Sequence, residues 1–418
     1  MSSSHVFKPC LKRISRCSSL LSSVRDYFPS IKRFRAYLNT ASTGLTPINV
    51  YETLSGVLNM IYEGSVTEDL LEDYVARGRK EVARLIGAET SEIAFTVQTT
   101  EGLKNVLRSL NLGTDDVVLG LDLDFPTITS LIKSLCVVRG CDVRVAEGKG
   151  IYEVGDLEKL VDDSVKVAIV SSVQWISGWR INLKELSNIL HEHGALIIVD
   201  GVQHVGALKL DVASEDVDVL CVGGEKWMLS PYVGSGFMYV RRELLEELDP
   251  FPYGILNREE PRGGWGNYWP DPDKDVWSLP QVSRTALKFE WGGGRPYTSI
   301  IALYEAARLI NNVGIENIES HILNIKRYLH ERLFSEGYAV YGYSDEVIHW
   351  SGITLVKTGL NRMRELNIVE ELRKRGVMVS YRGASGVSGI RVSTHLYNTR
   401  EDVDVLIDEL NKLRALNM

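Results

Sequence analysis

A carboxylate and a lysine stand at the ends of two apolar runs. The run at 196–199 ends in Asp200, with Gln203 and His204 just beyond it. The run at 217–222 ends in a glycine-rich turn that carries Lys226 and is followed by Gly234-Ser235-Gly236. Function in open α/β sheets collects at the carboxyl ends of strands. An acid that keeps a pyridine nitrogen protonated, and an amine that forms a Schiff base, are the pair that pyridoxal phosphate (PLP) chemistry needs. Taken singly, a lysine after a strand is a solvated loop residue and an aspartate there is a helix N-cap. Their joint occurrence, with Gln203 between them, favours the chemical reading.

Other residues could join this pair. Gln98-Thr99-Thr100-Glu101-Gly102 lies between a strand beginning at Ile93 and a helix whose apolar stripe is Leu103, Val106, Leu107 and Leu110. Free N–H groups, the positive end of the dipole and two hydroxyls make that turn an anion site. Phe125 occupies the turn between a strand at 117–121 and a helix opened by Pro126, so its ring either packs on its own helix or covers a ligand. Gln174 and Trp175 follow a strand at 166–171 and read as pocket wall. Arg391 sits inside a short β-run, where a guanidinium needs an anion: a structural acid, or a substrate carboxylate gripped in bidentate fashion. His191 and His193 are two apart on a helix and do not share a face, so they read as solvated residues and not as a metal pair.

The stretch Asp200-x-x-Gln203, Lys226-Trp227 and Gly234-Ser235-Gly236-Phe237 resembles the class V aminotransferase family of fold-type I PLP enzymes, which includes cysteine desulfurases, kynureninases and isopenicillin-N-epimerase-like proteins. The resemblance runs from about Tyr37 to the C-terminus. It implies that Lys226 carries the cofactor and moves the Cα proton of the substrate. It implies that Asp200 meets the ring nitrogen, Gln203 the ring hydroxyl and His204 the ring edge, and that Phe125 stacks on the ring. Thr99 and Thr100 would hold the phosphate. Asn39, Ala41 and Ser42 would line the substrate side with Gln174 and Trp175, and Arg391 would take the α-carboxylate. A Phe-Glu-x-Gly segment reaches the phosphate of the partner subunit in relatives. Here it reads Phe289-Glu-Trp-Gly-Gly-Gly-Arg295, so Gly293 and Gly294 would supply N–H groups, and Arg295 is either an addition or a surface cation. Relatives also have Ser-x-His-Lys where this chain has Gly223-Gly224-Glu225-Lys226, so Glu225 is expected to turn away from the phosphate. Phe125 stands where desulfurases have His, and residues 376–390 hold no cysteine, which disfavours a persulfide mechanism. The isopenicillin-N-epimerase-like subgroup is the nearest match, leaving epimerisation, transamination and elimination open. Kynureninase-type hydrolysis or C–S lysis is the alternative, and a binding protein that has lost catalysis is the non-enzymatic one.

These residues require a scaffold of alternating strands and helices. The expected fold is a mostly parallel seven-stranded sheet with helices on both faces, in a large domain at 47–300, plus a smaller α+β domain from 26–46 and 301–418. A helix at 67–86 shows a Ser65/Glu68 capping-box spacing and ends at Gly87. Another is capped by Asn182 with Glu185, and the last begins at Asn398-Thr399. The irregular, Pro/Gly/Trp-rich stretch at 250–300 is long enough to be functional. Composition is that of an ordinary globular protein: 44% hydrophobic, 24% charged, net charge −8. The acidic balance argues against nucleic acid, and no apolar run approaches the roughly 18–20 residues of a membrane span. Five cysteines without a C-x-x-C pair indicate neither a zinc site nor a disulfide framework. Residues 1–25 are basic and Ser-rich. They read as a surface extension of a cytoplasmic protein, with an organellar transit peptide as the minority reading. A homodimer with shared sites and an amino-acid substrate are the expected partners.

Overall fold

The computed structural model describes residues 24–416; most of the basic N-terminal extension, with Cys10 and Cys17, lies outside them. A two-residue strand, β1 (Ala36–Tyr37), precedes helices Ile48–Tyr62 and Glu68–Ile86. The large sheet is then built from β2 (Ile93–Thr96), β3 (Val117–Leu121), β4 (Asp142–Ala146), β5 (Val165–Ser171), β6 (Leu196–Asp200), β7 (Val219–Gly223) and β8 (Gly236–Val240). Its order is β2-β8-β7-β6-β5-β3-β4. Only β8 runs against the others. The expected seven-stranded, mostly parallel α/β architecture is present. Strands such as Val-Val-Leu-Gly-Leu and Leu-Ile-Ile-Val-Asp are apolar on both faces because helices cover both faces of a parallel sheet. β3, β7 and β8 are buried throughout.

The chain reverses direction across the sheet at β3 and β5, which are neighbours with the connections leaving to opposite sides. Ligands bind at the carboxyl ends of strands around such a switch point. The turns that follow β2, β3, β5, β6 and β7 all open on that edge.

A second, four-stranded antiparallel sheet joins β9 (Ala339–Tyr341), β10 (Ile353–Lys357), β12 (Ser380–Ala384) and β13 (Val387–Ser393) in the order β12-β13-β10-β9. β11 (Val377–Met378) pairs in parallel with β1, so the segment before residue 46 belongs spatially with the C-terminal sheet. That segment then crosses to the large sheet, where Gly44 N–H donates to the Glu225 carbonyl at 2.9 Å.

Three local expectations are corrected. The helix at 68–86 is capped by Thr67, whose hydroxyl accepts from Leu70 N–H at 3.3 Å, and not by a Ser65/Glu68 box. It does end at Gly87, whose φ of +70° suits glycine and whose missing Cβ makes room for the Asp211 carboxylate. His191 is not merely solvated: Nε2 meets Asp218 Oδ2 at 2.9 Å, and that hydrogen bond raises its pKa above the ordinary histidine value. Asp218 also accepts from Ile197 N–H, so the contact ties the helix to β6 and β7. Cys136 and Cys141 are joined as a disulfide across the turn at Gly140, a local pairing that framework spacing does not signal. Asn182 caps its helix as expected, accepting from Glu185 N–H, and among the described residues no helix is long and apolar enough to cross a membrane.

Candidate active site

Lys226 is held by a loop whose backbone has little freedom. After β7 ends at Gly223, Gly224 N–H donates to the Ser235 carbonyl and its carbonyl accepts from Ser230 N–H. A Cβ at Gly224 would lie 2.4 Å from Ser235 Oγ, so a side chain there would break the turn. The next residue, Trp227, is fully buried. Its indole N–H donates to Gln203 Oε1 at 2.6 Å and its carbonyl meets His395 Nε2 at 2.9 Å. These anchors leave the Lys226 side chain as the part that projects into the cavity.

The cavity has a volume of about 320 Å3 and is lined by Thr99, Thr100, Phe125, Asp200, Glu225 and Lys226, among others. Lys226 Nζ lies 5.5 Å from the centroid of the Phe125 ring. Burial lowers the pKa of the amine below the ordinary lysine value; Arg391 and Arg382 push the same way, while Glu225 and Asp200 oppose them. Asp200 is buried, and burial pushes its carboxyl up to about 6, against the hydrogen bond from Val202 N–H and the charge of Lys226. A protonated ring nitrogen would supply the charge partner that this carboxylate lacks. At the other end, the helix Thr99–Ser109 begins without a side-chain cap, which leaves its first N–H groups and the Thr99 and Thr100 hydroxyls to meet an anion. The residues therefore fit PLP, with one departure. Glu225 does not turn away: a Cβ built on Gly223 would sit 2.8 Å from Glu225 Oε2 and 3.1 Å from Thr99 Oγ1, so the carboxylate borders the space above the helix terminus.

Arg391 closes the opposite side. It is 2% exposed. It donates through Nη1 to the Trp175 carbonyl at 2.7 Å and through Nη2 to Ser42 Oγ at 2.6 Å. Its Nε has no partner, and no acid pairs with it among the described residues. Burial, then the neighbouring Arg382, holds its pKa down to about 9. The Trp175 ring meets Phe125 edge-on at 5.3 Å between centroids, which links this anion pocket to the wall above Lys226.

Several expected ligands are engaged elsewhere. Gln203 spends both ends of its amide on protein, donating to the Ala41 carbonyl at 3.2 Å and accepting from Trp227, so it braces the lysine loop. His204 Nε2 meets the Lys209 carbonyl at 3.1 Å, its Nδ1 is buried and unpartnered, and burial pushes its pKa down to about 3, so the ring is neutral. Gln174 is consumed by its own turn: it donates to the Leu123 carbonyl and accepts from Ile176 and Ser177 N–H. Its neighbour Trp175 stays at the pocket. Ala41 is tied between Ser393 and Gln203, and Asn39 keeps a buried, unpartnered Oδ1. Gly293 and Gly294 are exposed and do not line this cavity; Arg295 pairs with Glu72 at 2.7 Å. Residues at the site that the sequence did not single out are Arg382 and Asp124. Asp124 is buried beside Ser171, with Oδ2 unpartnered. The signal for Arg382 was available in a hairpin: Ser385-Gly386, at φ +48° and +80°, is a two-residue turn that sets which residues face one another.

The aminotransferase class-V family model matches residues 36–406. The chain belongs to that family, and its cofactor is pyridoxal 5'-phosphate. A probable cysteine desulfurase of Aeropyrum pernix is 26% identical over 93% of this chain and 97% of its own length. Among solved structures, a variant of C-DES with glycine covalently linked to its PLP cofactor superposes with a TM-score of 0.82 at 19% identity, covering 92% of this chain and 98% of that one. The cysteine desulfurase of Thermococcus onnurineus superposes at 0.80 with 22% identity, covering 94% and 97%. At these identities the structures speak to the fold.

Proposed function

We propose that the protein acts at the α-carbon of an amino acid, with Lys226 as both the Schiff-base residue and the base that moves the Cα proton. The observation that carries this reading is Arg391: a buried guanidinium with no acid partner among the described residues, whose charge acts on Lys226, a lysine whose amine is kept below its ordinary pKa. PLP, when bound, draws electrons from the α-carbon. The chain does the rest. Asp200 would keep the ring nitrogen protonated. Thr99, Thr100 and the helix terminus would hold the phosphate. Phe125 would cover the ring. Arg391 fixes the carboxylate, so that the Cα–H bond is presented to Lys226, whose amine burial makes easier to deprotonate and so readier to act as a base.

Epimerisation, transamination and elimination all begin with this proton transfer, and kynureninase-type or C–S cleavage is the alternative outcome. The relatives named as desulfurases do not bring a persulfide mechanism with them. The loop at 376–390 has no cysteine, and the one free thiol among the described residues, Cys221, is buried with its pKa pushed well up by burial. A homodimer accords with the exposed apolar residues Tyr51, Leu58, Ile61 and Tyr62 on one helix. Gly293 and Gly294, exposed on a single chain, are then the N–H donors offered to the partner's phosphate.

The test is the visible spectrum of the purified protein titrated with a panel of amino acids, beside Lys226→Ala. A pH-dependent band that a few amino acids shift, and that the variant lacks, supports the reading; product analysis then names the reaction. A PLP-loaded protein indifferent to every amino acid sinks it.

A further inference from the structure

Arg382 has no part in the reaction as described, yet it stands beside Arg391. In the β12–β13 hairpin Ser380 faces Arg391 and Arg382 faces Gly389. Residues two apart on a strand share a face, so the two arginines project from the same side of the small sheet. Each lies opposite a small residue that leaves room for it. They meet on one atom: Arg382 Nη2 donates to Ser42 Oγ at 3.0 Å, and Arg391 Nη2 donates to the same oxygen. The remaining hydrogen bond of Arg382 goes to its neighbour's carbonyl, Tyr381 O, at 2.8 Å. Neither guanidinium has an ion pair among the described residues, and Arg391 Nε is buried without a partner. Both charges act on Lys226 and lower the pKa of its amine.

Two cations sharing one hydroxyl in a part-buried pocket repel each other and are costly to desolvate unless anions arrive. One α-carboxylate answers Arg391. We infer that Arg382 is a specificity-determining residue that receives a second anionic group, so that the substrate is an amino acid whose side chain carries a carboxylate or a similar acid. This rests on the reading of Lys226 and Arg391 as an amino-acid site. The alternative, both arginines gripping one carboxylate, is an outcome of the test.

The test uses the full-length, PLP-loaded protein and reads the dissociation constant from the shift of the visible band. L-glutamate is compared with L-glutamine, and L-aspartate with L-asparagine, pairs matched in shape and differing in charge. One hydrogen-bonded ion pair in such a pocket predicts a preference for the acids of roughly 10- to 100-fold. Arg382→Gln should bring that ratio toward one, whereas Arg391→Gln should weaken both members of each pair. The ratio isolates side-chain charge from any loss of packing, which would move both members together. Acids binding no tighter than their amides in the parent protein overturn the inference, whether or not Arg382→Gln folds, and leave the amino-acid site standing. A ratio that survives Arg382→Gln overturns it too. No response to any amino acid removes both this inference and the reading it rests on.

Discussion

Asp124→Asn should stabilise the apoprotein increasingly as pH rises above the ordinary carboxylate range. Asp124 lies at the carboxyl end of β3 with one oxygen accepting from Ser171 N–H at 3.3 Å and the other unpartnered. Burial, and then the charge of Asp200, pushes its carboxyl from 3.8 up to about 7. The sign follows from proton counting. Between those values the native state binds a proton that the unfolded chain has released, so stability falls as pH rises. The slope is ~1.4 kcal/mol per pH unit, and about 4 kcal/mol is lost once the pH passes the native value. Asparagine keeps the acceptor for Ser171 and cannot ionise, so this slope disappears. With an unfolding entropy of ~2.1 cal/mol/K per residue, a chain of 418 residues converts each kcal/mol into about 1 °C. Thermal unfolding of both proteins, scanned from pH 5 to pH 8, should show the variant's Tm advantage widening by about 3 °C up to pH 7 and then levelling. A gap that stays constant across that range would refute the reasoning, because a packing change has no such pH dependence. Kept neutral, Asp124 also leaves Asp200 as the ionised partner for the ring nitrogen, so the variant should still bind PLP.

Other consequences follow from single contacts. Glu225→Gln removes a carboxylate from the space bordering the Thr99 terminus and should tighten PLP binding by roughly tenfold in a fluorescence titration, since an opposing charge there works against a dianion; unchanged affinity would place the phosphate elsewhere. Gly44→Ala would drive a methyl to 2.1 Å from the Lys226 carbonyl oxygen, so soluble protein should be scarce or hold PLP weakly by absorbance. Glu290, 1% exposed at its side chain, accepts from Arg79 and from Phe95 N–H; Glu290→Ala should cost about 1–3 kcal/mol in denaturant unfolding by leaving the Phe95 N–H and a part-buried guanidinium without their acceptor. His191, raised by Asp218, stabilises fully below the unfolded histidine's pKa, and that stability is lost as pH rises through its raised native value. His191→Gln should therefore narrow the Tm difference between pH 6 and pH 8.

Legibility varied with how local the determinant was. The strands were legible because Val-Val-Leu-Gly-Leu and Leu-Ile-Ile-Val-Asp are uniform apolar runs closed by polar residues, and Lys226, Asp200, Thr99 and Thr100 occupy the ends of such runs. Arg391 was legible because a guanidinium inside a β-run has few explanations. Gln203, Gln174 and His204 sit in the right turns, but an amide or imidazole has several possible partners, and which one wins depends on tertiary neighbours such as Trp227, Leu123 and Lys209. Glu225 was expected to turn outward from its charge alone; the loop geometry fixed by Gly224 and Ser235 holds it at the cavity. Arg382 was missed because its face depends on hairpin register, a property of the Ser385-Gly386 turn and not of the residue.

The central claim, that Lys226 is the residue joined to the cofactor, is tested most directly by reducing the purified protein with borohydride and mapping its peptides by mass spectrometry. The account predicts a reduced pyridoxyl group on the peptide containing Lys226 and none in Lys226→Ala. A pyridoxyl group found instead on another lysine, such as the buried Lys288 or Lys326, or none after PLP is added, would contradict it.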